Sequence, residues 1–189
     1  TPLEEYSNRA ILYEFTQKVS KYIKKKLEDW RSETLREDVT TSEENEMSVV
    51  LLGAMEEESF LLVGDAGLRA LNNANSYATE NGISLKDDIT IMQIPHHGGR
   101  HNVSSSLLND IIGKPVKEGE KCGKDAFVCA ADKSDHPLQV VVNAYIRRGV
   151  RVYTAKGNII HHSRNMPERS GWTTVSNMPF DPNVEDWNE

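Results

Sequence analysis

Two apolar runs in this chain each stop abruptly on residues that ligate metals or move protons. The first, FLLV at 60–63, ends at Gly64-Asp65; the second, ITIMQI at 89–94, ends at Pro95-His96-His97-Gly98-Gly99. Apolar runs of this length read as buried strands. The end of such a strand is where a rigid sheet hands a side chain to the surface. Two neighbouring strands that end in a carboxylate and in imidazoles therefore constrain the chain to a layered fold, with oxygen and nitrogen donors held on rigid elements.

Between and around these runs the pattern alternates. Met47–Leu52 and Ser59–Val63 read as a hairpin turned by Glu56-Glu57-Glu58, and 66–81 reads as a helix closed by Asn81-Gly82. Ile89–Ile94 is a strand, 104–112 a short helix with a serine N-cap, and 126–131 another strand. A helix from Pro137 to Arg148 follows, with proline in its first turn, then a hairpin of 150–154 and 158–161. This alternation predicts an α/β layer. Upstream, Ile11, Leu12, Phe15, Val19, Tyr22, Ile23, Leu27 and Trp30 recur at helical steps, so 4–31 is expected to be a helix with Glu28 on its polar face. The organisation expected is a helical extension and loop over 1–45, a domain over 46–165 and a polar tail over 166–189.

The candidate chemical residues each have a plainer alternative. Asp65 either ligates metal or caps the helix that follows it. His96 and His97 lie where Pro95 breaks the strand ladder, so the chain must turn there. One imidazole can reach a metal or a scissile group while its neighbour orients it or packs; both are candidate catalytic residues. His101 is expected to be exposed. His136, in SDHP, is the candidate last ligand, with Ser134 and Asp135 as competing caps and Asp132 a weaker alternative. His161 and His162 are expected to have structural roles, one buried and one exposed. Met55 and Met92 are expected in the core, Cys129 as a buried small hydrophobe in AFVCAA, and Cys122 as an exposed free thiol.

The order apolar–GD–apolar–HHG–serine-rich turn–helix resembles the C-terminal half of the metallo-β-lactamase fold. The resemblance is greatest to the hydrolase domain of competence-type DNA-uptake channel proteins. NEMSVVLLG at 45–53 and AFVCAADKSDHPLQVVVNAYIRRGVRVYTAKGNI at 126–159 extend it, so that it covers roughly 45–162. It implies an αββα sandwich and a hydrolase of phosphodiester or related ester bonds. Two ions, usually zinc with manganese or iron as alternatives, would activate water as hydroxide there. Asp65, His97 and His136 would be ligands, and the HHG turn would stabilise or protonate reacting oxygens. The family's leading HxHxDH motif is absent, because the first histidine in the chain is His96. The remaining ligands are then expected from an upstream half of the same protein. The alternative is a degenerate, non-catalytic module that serves in protein interaction.

Composition sets outer bounds. A net charge of −7 opposes passive binding to a phosphate backbone, although metal ions in a site would supply positive charge to a nucleic-acid substrate. No run approaches a membrane span, and the two cysteines form no disulfide framework, which points towards a reducing, cytoplasmic setting.

Overall fold

A computed structural model describes residues 25–187. Its centre is a five-stranded sheet in the order β2-β3-β4-β5-β6. The strands are β2 (Leu51–Met55), β3 (Glu58–Leu62), β4 (Ile91–Gln93), β5 (Asp125–Val128) and β6 (Arg151–Thr154). β2 and β3 form an antiparallel hairpin; the β3–β4, β4–β5 and β5–β6 pairs are parallel. Parallel pairs need crossovers, and helices supply them: α2 (Leu68–Glu80) and the short α3 (Leu85–Asp88) between β3 and β4, α4 (Ser105–Ile111) between β4 and β5, and α5 (Gln139–Arg147) between β5 and β6. A one-turn helix, α1 (Glu43–Glu46), precedes the hairpin. The chain is thus an α/β fold, as its alternating pattern predicts.

The helices lie against one face of the sheet. Leu61, Val63, Met92, Ala126, Val128 and Val152 point into that layer and meet Leu71, Leu107, Leu108, Val141 and Tyr145 in one continuous core. The pleat sends alternate residues to the other face. There Leu51 pairs with Leu62, Phe60 with Ile91 and Phe127 with Tyr153. Leu51 and Leu62 are 52 % and 44 % exposed, and Val49 and Met55, on the same alternation, reach 80 % and 70 %. Mostly parallel sheets normally have both faces covered. Among the described residues, the segment packed on the second face is the irregular one after β6. His162 of that segment packs its ring edge on Phe127 and contacts Glu58, and Arg164 pairs with Glu57 and Glu58. Among the described residues, Val49, Leu51 and Leu62 on the β2–β3 half of the face stay exposed.

Several expectations are corrected. Lys25–Leu27 is not helical: it is strand β1, antiparallel to β7 (Asn183–Glu185); residues 28–31 follow as a non-helical turn with Asp29 bridged to Ser32, and residues 4–24 of the expected helix lie outside the described residues. The reason is Glu28. The helical pattern puts it in solvent, but it is 2 % exposed and pairs with buried Arg147 at 2.9 Å while accepting from Asn143 and Thr34. The hairpin turns at Glu56-Glu57, so β2 begins later than expected, and Met55 is exposed rather than core. No second strand pairs with β6 among 158–161, and both His161 and His162 are exposed. Cys129 is exposed and Cys122 half-buried, the reverse of the sequence expectation, because β5 ends at Val128. The stretch expected to be only a polar tail contains β7, whose Val184 is fully buried.

Candidate histidine site at the strand ends

The carboxyl ends of β3, β4 and β5 lie side by side, and each carries one part of the predicted site. Parallel α/β sheets hold ligands at this edge. After β3 the backbone turns through Gly64-Asp65. After β4 comes the His96–Gly98 turn, in which His96 and His97 both adopt left-handed backbone, with φ of 45° and 56°. Such φ values cost a non-glycine residue on the order of 1–2 kcal/mol each and persist only where the surroundings enforce them. Three contacts do so. His96 N donates to Gly64 O at 3.1 Å, Gly98 sits on Pro137, and Leu138 N donates to Gly98 O at 3.2 Å. Gly98 has φ of 85°, and a Cβ there would lie 2.6 Å from Pro137 Cβ. Only glycine lets the two loops meet.

The three imidazoles converge. His96 and His136 lie parallel within 7° with centroids 6.5 Å apart, and His97 meets His96 edge-on at 5.9 Å. His97 Nδ1–H donates to the Cys129 carbonyl at 2.6 Å, which leaves its Nε2 lone pair outward on an exposed side chain. His96 is half-buried, and its Nδ1 has a partner for either tautomer. Asn102 Oδ1, at 3.1 Å, accepts if Nδ1 is protonated; Asn45 Nδ2, at 2.8 Å, donates if it is not. Asn102 is 1 % exposed, and its Nδ2 is committed to the carbonyls of Asp65 and Ala66. It thus ties the Asp65 turn to the histidine turn. His136 backbone N donates to Ser134 Oγ at 3.1 Å. The pKa of His136 is held below the ordinary imidazole value of 6.5, first by burial and then by His96 and His97, against weaker opposing pulls from Asp135 and Glu185.

Neither capping alternative is realised. The N-cap of α2 is Gly67, and the carboxylate that accepts its first N–H groups is Glu46: Oε1 from Arg69 N and Oε2 from Ala70 N, at 3.3 and 2.7 Å. Nothing among the described residues hydrogen-bonds the Asp65 carboxylate. Likewise α5 begins after Leu138, not at His136, and Glu185 receives Gln139 N and Val140 N at 2.9 and 3.1 Å. Two carboxylates from elsewhere in the chain do the capping, so Asp65 and His136 are left to the strand-end edge.

The donor set is nevertheless short. Among the described residues no group of three or more His, Cys, Asp or Glu side chains is placed to hold a metal ion. Asp132 is exposed, with its carboxylate beside Gly157, and His101 is exposed as expected. Sequence reasoning passed over Asn45, Glu46, Asn102 and Glu185. Each acts through hydrogen bonds to residues distant in sequence, which no local pattern records. Among the described residues no helix is long and apolar enough to cross a membrane. Compared with known protein families, curated proteins and solved structures, the chain matches none of them.

Proposed function

We propose that this chain is half of a metallo-β-lactamase-like hydrolase, acting on phosphodiester or related ester bonds through the histidine cluster. The observation that carries the reading is the hydrogen bond from His97 Nδ1–H to the Cys129 carbonyl. A backbone acceptor on one ring nitrogen fixes the tautomer and turns the other nitrogen's lone pair outward, the arrangement found in metal-ligating and proton-accepting imidazoles. His96, with a hydrogen-bond partner for each tautomer, is suited to taking up or giving a proton at Nε2 without losing its anchor.

The residues described do not fit a metal on their own, since catalytic zinc generally keeps three protein ligands and no such trio is present. We assign the missing donors to an upstream half of the same protein, seated as a second β layer on the open sheet face. The exposed Val49, Leu51 and Leu62 suit a partner sheet, because stacked sheets bury alternate apolar residues from both inner faces. The exposed Val49, Leu51, Met55 and Leu62 on this face favour a second reading, a non-catalytic module that uses it for protein interaction.

Metal analysis of the protein made from its entire reading frame separates the two. About two ions of zinc, manganese or iron per chain, with hydrolysis of a chromogenic phosphodiester that Asp65→Asn abolishes, supports the hydrolase. A folded protein without metal and without turnover supports the interaction module.

A further inference from the structure

The chain is acidic overall, yet positive groups gather at one place beside the histidine turn. The guanidinium carbons of Arg36 and Arg100 lie 4.8 and 4.9 Å from the ring centroid of Trp187, and the His101 ring meets the same indole edge-on at 5.7 Å. The indole is itself fixed, since Trp187 Nε1–H donates to Thr34 O at 2.8 Å. Arg100 donates one N–H to the Asp186 carbonyl; Arg36 is exposed and forms no hydrogen bond to another described residue. Two guanidinium groups on one ring repel each other, and an acidic chain has ample carboxylates to neutralise them. Three of the nearby ones direct their oxygens to other donors. Glu37 accepts from Ser106, Glu33 holds Ser105 and Arg148, and Glu185 caps α5. Asp186 sets one negative charge against two arginines. The charges of Arg100 and Arg36 both act on His101 beside the shared indole, so positive potential concentrates at this ring, an electrostatic preparation for an anion.

The location connects it to the histidine cluster. His101 stands between Arg100 and Asn102, and Asn102 reaches His96 Nδ1. The pKa of His101 is lowered, first by burial and then by the charges of Arg100, Arg36 and His96, so these groups share one electrostatic neighbourhood.

We infer that Arg36, Arg100 and His101, gathered on Trp187, form a subsite for a phosphate group of the substrate next to the ester that the histidine cluster cleaves. Guanidinium forks match the oxygens of phosphate and give charge-assisted hydrogen bonds. His101, kept neutral near pH 7, adds a hydrogen bond rather than a third charge. The role assigned to this subsite in catalysis rests on the hydrolase reading; the binding of phosphate to it does not.

The test is a titration of the chain with inorganic phosphate, and separately with acetate, at constant ionic strength. It is read from the three tryptophan indole N–H signals in a heteronuclear NMR spectrum. The expected result is a saturable shift of the Trp187 signal with phosphate, weaker by about tenfold in Arg36→Gln and in Arg100→Gln, with Trp30 and Trp172 as unmoved references. Arg36→Lys, which keeps the charge and loses the fork, should fall between wild type and Arg36→Gln. No Trp187 shift would overturn the proposal, as would a shift unchanged in the variants or equal with acetate. Should an arginine variant disturb the fold, the phosphate and acetate arms on the unmodified chain still decide. Phosphate binding without turnover in the complete protein would leave the subsite standing and sink the hydrolase reading; turnover without phosphate binding would do the opposite.

Discussion

His96 and His136, carried by loops at the ends of two adjacent parallel strands, stack their rings within 7° of parallel at 6.5 Å. Two imidazoles so placed cannot both be charged without mutual repulsion, and burial together with this neighbour pushes His136 towards the neutral form. The relationship joins the fold to the site. It exists because Gly98 lets the β4 turn rest on Pro137, and it adds to burial in holding His136 neutral.

The chain should lose stability as pH falls from 7.5 to 5.5. In the folded state His136 and His101 have pKa values below the ordinary 6.5, so the unfolded chain binds more protons in that window. Their contribution is complete above about 6.5 and is lost as pH drops through the lowered folded values. Further into acid Glu37 acts with the same sign. Burial alone would raise its pKa, but hydrogen bonds from Ser106 and Ser104 and the charge of Arg148 bring it below 4.5. Urea denaturation at a series of pH values checks this. A midpoint that is flat or rises between pH 7.5 and 5.5 contradicts it.

Asp65 and Glu46 should separate chemistry from folding. Glu46→Ala removes the carboxylate that accepts Arg69 N and Ala70 N and should cost about 1 kcal/mol, the usual worth of an N-terminal cap. Asp65→Asn should leave the denaturation midpoint almost unmoved, since its carboxylate caps nothing. Equal losses from the two substitutions would return Asp65 to a structural role.

Gly98→Ala should destabilise by about 1–3 kcal/mol, because the added Cβ meets Pro137 at 2.6 Å and the backbone there has φ of 85°. The same change should move the His136 imidazole signals in NMR, since it forces apart the loops that carry His96 and His136. Unchanged His136 resonances would mean that the loops are held together by something other than this contact.

Removing one member of the Glu28–Arg147 pair should cost about 3–5 kcal/mol. Both side chains are buried, and Arg147 also donates to the carbonyls of Trp30, Asp29 and Ser32. Glu28→Ala leaves a guanidinium without its counter-charge and exposes the cost directly in equilibrium unfolding. A loss under 1 kcal/mol would show that water or a neighbouring group compensates.

The parts of the fold legible in the sequence are those whose signals are local. The run at 60–63, the helix after Gly67 and the Ser104 cap each rest on a short pattern, and the structure has them within a few residues. The strands at 25–27 and 183–185 were not legible. Their pairing joins distant segments, and a buried glutamate inverts the apparent polar face of the first. In the site, the histidines announced themselves by type. Asn102 and Glu46 did not, because an amide or a carboxylate is a surface residue by default and becomes a strut only through partners far along the chain.

The pairing of Lys25 with Glu185 sets an order of events during synthesis. The ribbon that holds Glu28 against α5 cannot close until residues 183–185 have left the ribosome, long after β2 and β3 can meet as a hairpin. The caps show the same asymmetry: Glu46 is made before the helix it serves, Glu185 after. A nascent chain that has emerged from the ribosome to about residue 160 would therefore contain the whole five-stranded sheet while α5 still lacked its cap. Release of the remaining segment is then a discrete late step in folding, one that a ribosome-stalling series would resolve as a delayed gain in protease resistance around β1 and α5.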